Sequence, residues 1–165
     1  MAAIRIIGLG NHLRGDDAVG LLAARRLRQK VGHRAEVIEA EMVGIGLMEL
    51  MKDVSVVILV DAARSGLAPG TIHRLDASAG PIGGRIFPCS SHVIGILEAL
   101  ELARAVGALP ATVILYGVEA DNTEPGQQLS SAVAVALDQV VEQIVQECDA
   151  DHARISSDDA SREGC

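Results

Sequence analysis

Aromatic side chains are almost missing from this chain: it has no tryptophan, and Phe87 and Tyr116 are its only other large rings. Its core must therefore be built from Ala, Val, Ile and Leu, in a chain that is 49% apolar. That composition suits buried parallel strands covered by Ala/Leu-rich helices. Cysteine is also scarce. Cys89, Cys148 and Cys165 are odd in number and have no CxxC spacing, which excludes a disulfide framework and a zinc ribbon. Basic residues cluster only at Arg25, Arg26, Arg28 and Lys30, against a formal net charge of −8. Nucleic acid needs a basic face and is excluded as a partner, and an anionic membrane would repel so acidic a surface. No apolar run is long enough to cross a bilayer, and MAAIRIIGLGN enters a strand without the flanks of a signal peptide. A cytoplasmic location is expected.

The 165 residues suit one domain, which would remove roughly 70% of its unfolded surface from water. Hydrophobic periodicity predicts strands at 4–9, 35–40, 53–63, 67–75 (after a Pro-Gly turn) and 111–119. It predicts helices at 18–30, 46–51, 91–106 and 129–147. The Gly- and Pro-rich stretch 77–90 reads as a surface loop. Residues 1–147 are expected to form a single α/β domain, and 148–165 a disordered acidic tail. Positions 149–165 hold five acidic and two basic residues and little to bury. The order β-α-β-α-β-β-α-β-α points to an open, mainly parallel sheet with helices on both faces, a fold that binds ligands beyond the carboxyl ends of its strands.

The first strand runs into GLGNHLRGDDAVG (8–20), which has the glycines of a phosphate-cradling turn. Two features exclude a dinucleotide. The third glycine of GxGxxG, needed for close helix and strand packing, is replaced, and Asp16 and Asp17 would repel a pyrophosphate. Asp16 is placed to cap the following helix. Asp17, Asp61 at the end of the most apolar strand, and His92 after the glycine-rich loop can converge in the crevice, with Glu39 and Glu41 at the end of the second strand. Two carboxylates and an imidazole suit a borderline divalent cation such as Ni, Zn, Co, Mn or Fe. Alternatively, they could position a water with one carboxylate as general base. Cys89, three residues before His92, offers a weaker Cys/His arrangement. His12, His33, His73 and His152 read as solvent histidines, His12 being the one in the opening loop.

GLGNHLRGDDAVG at 8–20, VVILVDAARSGLAPGTI at 56–72, SSHVIGILEAL at 90–100 and LYGVEADNTEPGQQLSSAV at 115–133 together resemble the hydrogenase maturation endopeptidases. Members of that family trim the C-terminal extension from the large subunit of nickel-iron hydrogenases. The resemblance implies a three-layer α/β/α fold with a twisted, mainly parallel five-stranded sheet. It implies Asp17, Asp61 and His92 as metal-contacting residues, with Asp17 and Asp61 also carrying the catalysis, as in an aspartyl protease. It also implies a hydrogenase large-subunit precursor as partner, with nickel supplied by that precursor. Where many members have an Asp-Gly-Gly-Thr-like turn, this chain has Glu41-Met42-Val43-Gly44-Ile45-Gly46. A non-catalytic nickel- or partner-binding module is the alternative of a different class. Peptidyl-tRNA hydrolases also open with GLGN, but Asn11 here precedes His-Leu-Arg-Gly and the acidic surface suits tRNA poorly.

Overall fold

The apolar run at Ile4–Leu9 forms β1, and four further strands lie beside it: β2 (Glu36–Ala40), β3 (Val56–Ala63), β4 (Ile72–Asp76) and β5 (Thr112–Glu119). The helices are α1 (Val19–Val31), α2 (Leu47–Leu50), α3 (Ser91–Ala105) and α4 (Ser131–Arg162). The structure, a computed structural model, describes residues 3–41, 44–82 and 91–162, without the side chains of 91–94 and 158–162. The sheet order is β2-β1-β3-β5-β4. The first four of these strands run parallel, and β4 is antiparallel to β5 at the edge. This is the α/β fold expected, a five-stranded, mainly parallel sheet flanked by helices.

Alternation along each strand divides the core in two. Ile4, Ile6, Ile58, Val60, Ile114 and Tyr116 pack on the face covered by α1 and α4, against residues such as Leu27 and Val140. Ile7, Val57, Leu59, Val113 and Leu115 pack on the face covered by α2 and α3, against Leu47, Ile96 and Leu100. Every residue of β3 is buried, because both faces of this central strand are covered. Each buried Val, Leu or Ile contributes about 1.5–3 kcal/mol, so aliphatic packing suffices without aromatics.

The close approach of α1 to the sheet is set by a glycine pair. A Cβ on Gly8 would lie 2.2 Å from the Gly20 carbonyl oxygen, and one on Gly20 would lie 2.2 Å from that of Leu9 and 2.3 Å from that of Val60. Gly20, inside α1, thus does the packing work that the third glycine of a dinucleotide loop would do from another position.

Helix α4 extends well past residue 147, through the stretch expected to be an acidic tail. That stretch has something to bury: Cys148 and Asp151 are buried and Ile155 packs against the core. Arg34 also pairs with Asp149, and Arg154 with Asp151. Among the described residues no helix is long and apolar enough to cross a membrane.

Gly20→Ala is expected to destabilise the protein by about 1–3 kcal/mol, because α1 must move away from β1 and β3. Chemical denaturation checks this, and an unchanged midpoint would show that the glycine pair does not set the spacing.

Candidate active site at the carboxyl ends of the strands

The loop after β1 closes on itself. Gly10 has φ of 144°, and a Cβ there would lie 2.0 Å from the Asp17 carbonyl oxygen. The Asn11 amide donates to that oxygen at 3.0 Å, and the Asp17 amide donates to the Arg14 carbonyl at 3.0 Å. The Leu13 amide donates to Asn11 Oδ1 at 2.9 Å, and the Asp16 amide to the Asn122 carbonyl at 2.8 Å. Amides that a phosphate loop would point at its ligand are committed to protein acceptors here.

Asp16 corrects an expectation. Neither the 3-10 turn Gly15–Ala18 nor α1 receives a side-chain cap, and the Asp16 carboxylate points to the opposite connection. Fully buried, it accepts the Asp121 and Asn122 amides at 2.9 and 3.0 Å. It also accepts the Ser130 amide at 2.7 Å and the Ser130 hydroxyl at 2.8 Å. Ser130 immediately precedes α4, so the carboxylate sits where that helix's dipole favours negative charge. The 3-10 turn is thereby fastened to the β5–α4 connection.

Beside it lie Asp17 and Asp61, only 4% and 2% exposed. Asp61 alternates with Val57 and Leu59, so it points to the face covered by α3, the helix in which His92 is the second residue. The His92 side chain, Cys89, Met42 and Val43 lie outside the described residues. Burial pushes Asp61 up to about 7; the Ala62 amide, donating at 2.8 Å, opposes this, and the Asp17 charge adds to it. The structure thus brings Asp17 and Asp61 into electrostatic contact. Among the described residues no three His, Cys, Asp or Glu side chains form a metal cage. A cation at the two aspartates would nevertheless relieve two buried like charges, so the pair fits one.

The other expected neighbours separate. Glu39 accepts hydrogen bonds from Arg25 and Arg28 of α1, both at 2.9 Å. Burial raises its pKa, but the two guanidiniums outweigh that and hold it below the usual carboxylate value. It is therefore spent on the helix rather than offered to the crevice. Glu41 pairs with His12 of the opening loop, both partly exposed. His73 corrects the reading of it as a solvent histidine: its side chain is 17% exposed and Nε2 lies 3.1 Å from Glu119 Oε2.

Glu119 went unnoticed in the sequence. Buried at the end of β5, it accepts the Ser65 amide at 2.6 Å, the Ser65 hydroxyl at 2.9 Å and the Gly66 amide at 3.0 Å. Burial would raise its pKa, but the bonds from Ser65, His73 and Gly66 prevail and lower it. The signal that marked Asp61, an acid ending an apolar strand, was present at Glu119 as well. Asp61, Gly117 and His73 are register partners across β3, β5 and β4, so His73 stands about 10 Å from Asp61 along one row.

A family model described as hydrogenase maturation protease matches residues 19–147. The chain belongs to the hydrogenase maturation protease family. It is a hydrolase, and the family's reaction is cleavage at the C-terminus of the hydrogenase large subunit. It is 28% identical over 147 residues to the hydrogenase 2 maturation protease of Escherichia coli, covering 86% of this chain and 88% of that one. Against the hydrogenase expression/formation protein HupD of Thiocapsa roseopersicina it is 29% identical over 120 residues, covering 70% of this chain but 53% of that protein. Solved structures share the fold, two of them as follows. The hydrogenase maturating endopeptidase HybD of E. coli superposes with a TM-score of 0.73 at 28% identity, covering 87% of this chain and 90% of that one. The NiFe hydrogenase maturation protease HybD of Thermococcus kodakarensis gives 0.70 at 25% identity, covering 90% and 99%.

Asp16→Ala should destabilise the fold by about 3 kcal/mol, since it leaves buried amides without their acceptor; a loss below about 0.5 kcal/mol in chemical denaturation would contradict its role as a fastener. The Asp61 pKa gives a pH signature. It rises on folding from 3.8 to about 7, so the group's contribution to stability is fully present below about pH 4 and is lost as pH rises through about 7. Asp61→Asn has no charge to bury. Its melting temperature relative to wild type is expected to climb between about pH 4 and pH 8, and a difference that stays flat over that range would refute the shift.

Proposed function

We propose that the chain is an endopeptidase acting in the cytoplasm on the nickel-loaded precursor of a nickel-iron hydrogenase large subunit, from which it removes the C-terminal extension. The observation that carries this reading is the pair Asp17 and Asp61, two carboxylates buried together at the carboxyl end of the parallel strands, one of them raised to about 7. Such a pair favours a cation. Here that cation is the nickel of the substrate, held by Asp17, Asp61 and His92.

Docking through the nickel fixes the neighbouring peptide bond in the crevice, turning attack by water into an intramolecular event. A carboxylate whose pKa lies near neutrality can take the proton of that water and return it to the leaving amine. Asp61 fits this role because it stands at the buried end of β3 and binds only the Ala62 amide among the described residues, and Asp17 supplies a second negative charge toward the nickel. Carboxylate-assisted attack of this kind gives the aspartyl-protease character, with the metal carried by the substrate rather than owned by the enzyme.

The experiment is to mix the purified chain with nickel-loaded and nickel-free precursor and measure the precursor's mass. Loss of a C-terminal fragment from the nickel-loaded form alone is expected. Asp17→Asn, Asp61→Asn and His92→Ala should each lower the cleavage rate by about 10²-fold or more while leaving the far-ultraviolet circular dichroism unchanged. Full activity in all three would sink the assignment of the site, and nickel binding without cleavage would favour a non-catalytic binding module.

A further inference from the structure

Arg14 and Arg64 reach the same residue, one from the opening loop and one from the end of β3. Arg14, in the opening loop, donates from Nε to the Thr123 carbonyl at 3.1 Å, and Arg64, just after β3, donates to the Thr123 hydroxyl. Thr123 follows Asn122, whose carbonyl and amide are both bound to Asp16. Each arginine is three residues from a site aspartate, Arg14 from Asp17 and Arg64 from Asp61. The two guanidiniums are thus held at the mouth of the crevice by the connection that anchors the site.

Their partners set them apart. Every other arginine whose side chain the structure describes meets a carboxylate, as Arg25 and Arg28 meet Glu39 and Arg34 meets Asp149. Among the described residues, Arg14 and Arg64 meet only the uncharged Thr123. In a chain of net charge −8, two exposed guanidiniums left unneutralised beside two buried carboxylates are a marked departure. A guanidinium is planar and presents paired donors that match a carboxylate, so one used up only in part by a neutral acceptor keeps a face for an anion.

We infer that Arg14 and Arg64 form a carboxylate-binding pair that grips acidic side chains of the C-terminal extension as it leaves the scissile bond. This rests on the maturation-protease reading and adds which part of the precursor is recognised, and by what charge. Among the described residues, the depth of the crevice holds the acids Asp17 and Asp61. An anionic extension would be repelled there, and the arginine pair supplies a place where it is attracted. Because both side chains are exposed, the attraction is screened by salt and acts on capture rather than on the chemical step.

Two measurements test this. In the first, the full chain labelled with ¹⁵N-arginine is titrated with a tetra-aspartate peptide and, separately, with tetra-asparagine. The Nε–H signals of Arg14 and Arg64 should move with the first peptide and not the second, while those of Arg25 and Arg28, already paired, stay in place. Equal movement with both peptides, no movement, or movement spread over all the arginines would overturn the pair. In the second, the double variant Arg14→Gln/Arg64→Gln is assayed on nickel-loaded precursor. KM should rise about tenfold with kcat held within about twofold, and the rise should shrink in high salt. Replacing the extension's Asp and Glu by Asn and Gln should raise KM for wild type but add nothing in the double variant. An unchanged KM, or a further rise of the same size in the variant, would refute the inference. Should the wild-type chain leave a nickel-loaded precursor whole, the maturation reading fails, and the spectra still decide the arginine pair.

Discussion

Asp16 keeps none of its surface in water, and a carboxylate can remain in such a place only if donors replace its hydration. Four do so, and all come from the β5–α4 connection, from Asp121 to Ser130. The return bond, from the Asp16 amide to the Asn122 carbonyl, closes the link from the other side. Two loops far apart in sequence thus become one rigid wall over the carboxyl ends of the strands. Asp17 is the next residue, so its position follows from that wall, as do those of Arg14 and Thr123, which are joined across the same seam. Loss of the Asp16 bonds would release all of these together, which makes the link a constraint on the whole site.

The sheet sets the other half. In a parallel sheet the side chain at a strand's carboxyl end takes its face from the alternation of the buried residues before it. Val57 and Leu59 pack toward α3, and Asp61 must point the same way. The register then places Gly117 and His73 in the same row, and Gly117, lacking a side chain, leaves the row open between the aspartate and the histidine. Burial of β3 on both faces both holds the strand and raises the proton affinity of its terminal acid. The packing that stabilises the fold thereby also tunes the acid on which the proposed chemistry rests.

Much of this could be read from the residues. Strand β1 begins and ends where the apolar run does, and the order of elements followed from period and punctuation because the aliphatic core leaves few alternatives. The burial of Asp17 and Asp61 beside one another was legible for a related reason, since an acid at the end of an apolar strand or beside a helix start stands out against its neighbours. The destination of Asp16 was not legible. Its partner Ser130 lies 114 residues away, and a local capping pattern competes for the same residue. His73 looked like a solvent histidine because its partner, Glu119, sits 46 residues on. The acidic end of the chain lacked the periodicity of a helix, yet Cys148 and Ile155 carry α4 onward along the core.

The buried acids differ in how many donors reach them, and that difference sorts structure from chemistry. Asp16 has four donors, and Glu119 has Ser65, Gly66 and His73; carboxylates so supplied are satisfied as anions and gain nothing from a further ligand. Among the described residues Asp61 accepts only the Ala62 amide, which does not offset its burial, and its affinity for a proton rises. A shortage of donors leaves a carboxylate seeking positive charge, whether a proton or a metal ion. Among the described residues, Arg14 and Arg64 show the converse at the rim, where two cations bind only the neutral oxygen atoms of Thr123. The fold therefore sets charge of opposite sign at two neighbouring points, acidic in the depth of the crevice and basic at its mouth. A ligand that satisfies both must carry a cation at one end and carboxylates a short distance along the same chain.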